Sequence, residues 1–371
     1  MTKKINWKRI IGWAIAAFVV GFIVYSNMKE QKALQETGKK NIYALLALSG
    51  PGAQYGKDMR REIDALMKEK NYPFNVIYLD SAGEGMKAVS AFQQATLNDD
   101  HPVIITSFSS VSSALAPLVE RKKGFMFALS TFVVKSETDN FIKLMGDEET
   151  VMAPVYEYIK KHNLKSLGIF YIETDYGLKE YKYIRENLKD SSTKISKVVS
   201  TAKSAYDVRG EALKLITSEP DAILILGETV PAYMNLIREL KAQDYRGKII
   251  ADGGLRVPMV SQLLGENSLG IVFPALTTEA DIPHSPQTEE AIQMLKKYKL
   301  PTYYILLEVA DTLQLIQYTI DNNLPFSRKT YENIKDWKGV MEGVSFHKEK
   351  AVGHRYIMTT FKNGKIVPVE E

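Results

Sequence analysis

The chain is 371 residues long, 45% hydrophobic and 25% charged, with 23 glycines and no cysteine. One hydrophobic core organises at most about 250 to 300 residues, so two folding units are expected, and the composition excludes disorder or a fibrous repeat. Residues 1–40 hold eight Lys or Arg against Glu30 and Glu36, which leaves a net charge of −2 on the other 331 residues and removes the electrostatic support for binding nucleic acid.

From Ile10 to Met28 the chain carries no charge, and Lys3, Lys4, Lys8 and Arg9 precede the run. As a helix this segment would be about 28 Å long, close to the hydrocarbon thickness of a bilayer. The basic flank predicts that residues 1–9 stay in the cytoplasm and that the rest is exported, giving an inner-membrane-anchored protein that faces the periplasm. Tyr25-Ser26-Asn27-Met28 lack the small-residue pattern of a cleaved signal peptide, so an uncleaved transmembrane helix is favoured, with residues 29–40 as a tether.

Beyond Asn41, short apolar runs alternate with helical periodicities, the pattern of parallel sheets covered by helices on both faces. Ile42 to Leu48 reads as a strand buried on both sides, closed by the turn cluster Ser49-Gly50-Pro51-Gly52. Met59, Ile63, Leu66 and Met67 then share one helical face. Strands are expected at 74–79, 103–106 and 125–129, with helices at 86–97 and 112–121. A second series begins with a helix at 149–162 and runs through strands 166–172, 195–200, 222–226 and 248–251, with helices at 178–189, 208–217 and 231–243 between them. A further strand at 270–276 and helices at 287–298 and 304–320 follow. The tail, 343–346 with 354–361, reads as a terminal hairpin with a further turn at Asn363-Gly364. Two doubly wound parallel-sheet lobes result, and in such sheets ligands bind outside the carboxyl ends of the strands.

Catalytic signatures are absent or incomplete. The five histidines show no metal-binding spacing, no G-x-S-x-G elbow occurs, and the S-x-x-K matches at 191–194 and 200–203 lack the partner motifs that such chemistry needs. Gly83-Glu84-Gly85 lacks the third glycine of a dinucleotide fingerprint, and Asp80 and Glu84 would set negative charge against a pyrophosphate. The chain is therefore expected to be no enzyme and to need no cofactor. Ser107 to Ser113, reading S-F-S-S-V-S-S at a helix start, is a candidate carboxylate site, although one serine would suffice as a cap. Carboxylates at three strand ends, Glu173 and Asp175, Glu228 and Asp252, are candidates for holding an ammonium group, or else cap the following helices.

The motifs S-G-P-x-A-x-Y-G (49–56), x-T-D-Y-G (173–177), P-D-A-I-L-I-L-G (220–227), A-D-G-G-L (251–255) and the closing G-V-S-F, V-G-H-R-Y and F-K-N-G-K-I-V-P-V stand in an order that resembles the type I periplasmic binding proteins of the branched-chain amino-acid (Leu/Ile/Val) ABC-transporter group. The resemblance implies two lobes, 41–145 with 275–350 and 146–274 with 351–371, closing about a hinge on a small amino-acid-like ligand. It implies that Ser109 and Ser110 take the ligand carboxylate, that Tyr176 packs over the ligand, that Asp252 takes the ammonium, and that Tyr55 and Glu228 line the cleft. Arg256, close to Asp252, favours an acidic or dicarboxylate ligand. The receptor would hand its ligand or signal to a membrane partner, an ABC permease or a sensor kinase. The alternative is a binding-protein fold that has lost its ligand and serves as a membrane-anchored interaction module.

Overall fold

A computed structural model of the chain describes residues 38–50, 52–130, 139–146, 148–227, 231–256, 258–335, 337–348 and 350–370. Strand β1 (Lys40–Leu46) lies inside a sheet, and its apolar run is buried on both faces. Alternate residues feed two cores. Ile42, Ala44 and Leu46 join Met59, Ile63 and Leu66 of α1 (Ala53–Lys70), while Tyr43 and Leu45 join Phe92 of α2 (Gly85–Ala95) and Val111 and Leu115 of α3 (Ser109–Arg121). Each such side chain contributes about 1.5–3 kcal/mol by leaving water.

The first sheet adds β2 (Phe74–Asp80), β3 (Val103–Ser107), β4 (Phe125–Leu129), β5 (Phe141–Lys143), β11 (Ser345–His347) and β12 (Lys350–Val352), in the order β11-β12-β5-β4-β3-β1-β2. The second holds β6 (Ser166–Ile172), β7 (Lys194–Thr201), β8 (Ala222–Leu226), β9 (Lys248–Ala251), β10 (Ile271–Leu276), β13 (Tyr356–Lys362) and β14 (Lys365–Pro368), in the order β14-β13-β10-β9-β8-β6-β7. Its helices include α4 (Glu148–Lys161), α5 (Asp175–Asn187), α6 (Arg209–Ile216), α7 (Pro231–Ala242) and α8 (Pro258–Leu264). Helices α9 (Pro286–Lys297), α10 (Tyr304–Asp321) and α11 (Arg328–Glu332) return the chain to the first sheet. The chain thus passes between the sheets after β5, after β10 and after β12. In each sheet the strand order reverses once, between β1 and β3 and between β6 and β8, which creates a switch-point crevice at the carboxyl ends.

Two expectations need correction. Among the described residues no helix is long and apolar enough to cross a membrane. The two longest, α1 and α10, are packed against the sheets and carry Asp58, Glu62, Glu308 and Asp311. Residues 10–28, where the span was expected, lie outside the described residues, as does most of the 29–40 tether. The fold class is therefore two-sheet α/β with no membrane-crossing helix among the described residues, and the membrane attachment and inner-membrane-anchored localisation that depended on that helix are withdrawn. The tail also differs, because its two segments do not pair with each other. β11 and β12 form one hairpin in the first sheet and β13 and β14 another in the second, turning at Asn363-Gly364. Gly353, at φ 95, lets the chain leave one sheet for the other.

Candidate functional site

Both crevices are built alike. Each switch-point helix opens with Tyr-Gly: Tyr55-Gly56 in α1 and Tyr176-Gly177 in α5. A β-carbon at Gly56 would run into the Ala47 carbonyl oxygen, and one at Gly177 into that of Ile172. The glycines therefore let the first helical turn sit against the strand exit, and each neighbouring tyrosine stands at the crevice.

In the first sheet, Asp80 Oδ1 accepts hydrogen bonds from the backbone N–H groups of Leu48 (2.9 Å), Ser49 (3.1 Å) and Ala82 (2.8 Å), which holds the loop after β1. Burial raises the Asp80 carboxyl, but these donors outweigh it and leave the group below its usual range. Ser110 Oγ donates to Gly83 O at 3.0 Å, and Ser112 Oγ joins Thr106 and Ser130 in a buried hydroxyl chain. Ser109 is half-buried in the first turn of α3. Phe108 precedes it with φ 71 and ψ 133, a strained backbone for a residue with a side chain. Its ring covers Gly52 and stands edge-on to Tyr55, with centroids 6.3 Å apart; Tyr303 meets the same tyrosine at 6.0 Å. Tyr55 also packs against the apolar cluster of the second sheet, so it joins the two halves.

The second crevice departs from expectation at Asp252. This residue is wholly buried, and both its oxygens are committed: Oδ1 accepts from Tyr233 Oη (2.9 Å) and Gly254 N (2.8 Å), and Oδ2 from Gly227 N (2.6 Å). Glu180 also accepts from Gly227 N, at 3.2 Å, so the two carboxyl groups meet at the same backbone N–H. Burial holds Asp252 above the ordinary carboxylate range. Its position ties the exits of β8 and β9 together. Tyr176 is half-buried beside this pair, and burial, Glu180 and Asp252 keep its phenol protonated. Glu228 lies outside the described residues.

Arg256, four residues beyond Asp252, is a buried charged group. It is 1% exposed, with its guanidinium 3.7 Å above the Tyr304 ring and 5.4 Å from that of Tyr356. Gly253 lies directly behind it, where a β-carbon would stand 3.3 Å from the guanidinium carbon. Glu279 Oε2 lies 3.6 Å from Nη1, too long for a hydrogen bond, while accepting from Leu276 N (3.0 Å); its Oε1 accepts from Tyr304 N (2.9 Å). Neither Nε nor Nη1 of Arg256 finds a hydrogen-bond partner among the described residues. Burial opposes the charge, but Glu279 and the surrounding phenols more than offset it, so Arg256 remains a cation. Among the described residues no group of three or more His, Asp or Glu is arranged to hold a metal.

The structure thus brings Tyr55, Ser109 and Ser110 to one crevice and Tyr176 and Arg256 to the facing one. Sequence reasoning missed Phe108, Glu279, Tyr303 and Tyr304. The adjacent tyrosines just after Pro301, at a helix start, were the visible signal for the last two.

A family model described as periplasmic binding protein matches residues 41–315, and the chain belongs to that family of non-catalytic solute receptors. No curated protein matches it. Among solved structures, an extracellular ligand-binding receptor from Rhodopseudomonas palustris HaA2 is similar at 18% identity and a TM-score of 0.79, over 90% of this chain and all of its own. A leucine-binding protein from Thermotoga maritima is 17% identical with a TM-score of 0.76, over 89% of this chain and 98% of its own. An ABC-transporter solute-binding protein from R. palustris, solved with 4-hydroxybenzoate, is 16% identical with a TM-score of 0.76, over 90% and 96%. The fold is that of a bilobed solute-binding receptor.

Proposed function

We propose that the chain is an extracytoplasmic receptor that closes on a small carboxylate-bearing solute, an organic acid or an acidic amino acid. The observation that carries this reading is the buried Arg256 guanidinium whose Nε and Nη1 make no hydrogen bond among the described residues, beside an Asp252 that accepts from Tyr233, Gly254 and Gly227. A buried donor left unmatched points to a missing acceptor, and a carboxylate is the acceptor that a guanidinium fits best. Tyr55 and Phe108 would wall the ligand on one side and Tyr176 and Tyr304 on the other, with Ser109 and Ser110 at the N-terminus of α3. Residues 41–145 with 275–350 would form one lobe and 146–274 with 351–371 the other, bending at the three crossings, and the closed form would be what a transport or signalling partner recognises. Leucine and 4-hydroxybenzoate, named for two structural relatives, both carry a carboxylate, which supports the class and leaves the branched-chain group as one member of it.

Calorimetry of the full chain against leucine, glutamate, succinate and benzoate tests the reading. At least one should bind, and Arg256→Gln should weaken it by roughly 10- to 100-fold, the worth of one charge-assisted hydrogen bond. Absence of binding across the panel, or wild-type affinity in a folded Arg256→Gln protein, refutes it.

A further inference from the structure

The buried face of helix α10 is apolar except for Thr312, Thr319 and two acids one turn apart, Glu308 and Asp311. Asp311 is satisfied, since it accepts from Val340 N (2.6 Å), Met341 N (2.8 Å) and Trp337 Nε1 (3.2 Å). Glu308 is not. It is wholly buried, and neither carboxyl oxygen has a hydrogen-bond partner among the described residues. It borders a cavity of about 10 Å³, room for one water, shared with Asp311, Leu144 and His354. Leu144 and His354 belong to the segments that cross between the sheets after β5 and after β12, and His354 Nε2 lies 2.6 Å from Leu144 O. Glu308 follows Tyr304 by one turn of α10, and Tyr304 carries the Arg256 guanidinium 3.7 Å above its ring and donates its backbone N–H to Glu279 (2.9 Å), so the acid stands one turn from that ion pair.

We infer that Glu308 sets the net charge of the binding crevice: as a neutral acid it leaves the Arg256–Glu279 pair balanced and open to an anion, and once ionised it adds a negative charge that repels one. The inference rests on the carboxylate reading above and adds its regulation. Burial lifts the Glu308 carboxyl to about 8, against the pull of Arg256 and aided by Glu279 and Asp311, so the neutral form prevails at neutral pH. The remaining groups facing it are Asp311, His354 and the phenols of Tyr304 and Tyr356. Burial holds Asp311 at about 6 and keeps both phenols above their ordinary range. Binding an anion beside Arg256 then favours the protonated form of Glu308, so ligand uptake and proton uptake are linked.

The test is calorimetry of the full chain with succinate or benzoate, neither of which titrates between pH 6.5 and 9.5, in two buffers of different ionisation enthalpy. Wild type should lose affinity above about pH 8, approaching tenfold per pH unit, and take up close to one proton per ligand bound there. Glu308→Gln should bind with a flat profile and no uptake, its folding checked by circular dichroism, while His354→Gln should retain the wild-type slope. A flat wild-type profile, a slope that persists in Glu308→Gln, or a slope lost in His354→Gln overturns the inference and leaves the receptor reading intact. Failure to bind any carboxylate at any pH overturns both.

Discussion

Replacing Asp252 by alanine distinguishes an internal tie from a ligand contact. Removing its carboxylate leaves the buried Tyr233 Oη without its acceptor, whereas Gly227 N keeps Glu180 at 3.2 Å and Gly254 N is only half-buried. One buried donor orphaned gives a loss of about 1–3 kcal/mol. Relief of the Asp252–Glu180 contact returns part of this, so about 1–2 kcal/mol is expected. In a chain of this size that lowers Tm by roughly 1–3 °C, readable by circular dichroism. Asp252→Asn keeps one acceptor oxygen for Tyr233 and Gly254 and should recover about half of the loss. Ligand affinity measured well below either Tm should stay within a few-fold of wild type. A variant with unchanged Tm and abolished binding would refute this account and return Asp252 to the ligand.

Two further outcomes follow from the same geometry. Gly177→Ala drives a β-carbon into the Ile172 carbonyl oxygen, and because that obstacle is backbone, a cost of about 1–3 kcal/mol or more is expected in urea unfolding; wild-type stability would show that the start of α5 can move. Glu308 has a folded-state value of about 8, raised above its ordinary 4.5, so its contribution to stability is fully present at low pH and is lost as pH rises from about 4.5 through about 8. Glu308→Gln should therefore gain on wild type by up to about 1.4 kcal/mol per pH unit across that window and no further above it, and parallel stability profiles for the two proteins would contradict the raised value.

Much of the scaffold was legible from local pattern. Ile42 to Leu46 could be read as a central strand because burial on both faces demands an unbroken apolar run, and the Tyr-Gly pairs stood out as motifs at strand exits. Their cause did not, because the obstacle that excludes a β-carbon belongs to the preceding strand. The tail was misread for a related reason. Both hairpin segments have strand character, but whether 343–346 pairs with 354–361 or with 350–352 depends on sheet edges formed by residues far away in the chain. Asp252 was correctly placed at a strand end, yet its direction was set by Tyr233 and Glu180, neither of which is near it in sequence. Glu308 appeared in the sequence only as an interruption of an apolar helix.

By itself the sequence determined the alternation of strands and helices, the two-lobe class and the loops at the strand exits, since these follow from hydrophobic periodicity and turn chemistry acting over a few residues. Which ionisable groups face the crevice and which are used up holding it together was decided only by the tertiary structure. Charge in a buried site is a property of the pairings that surround it: Arg256 meets Tyr304, Glu279 and Glu308, and Asp252 meets Tyr233 and Glu180, only when distant segments are packed side by side.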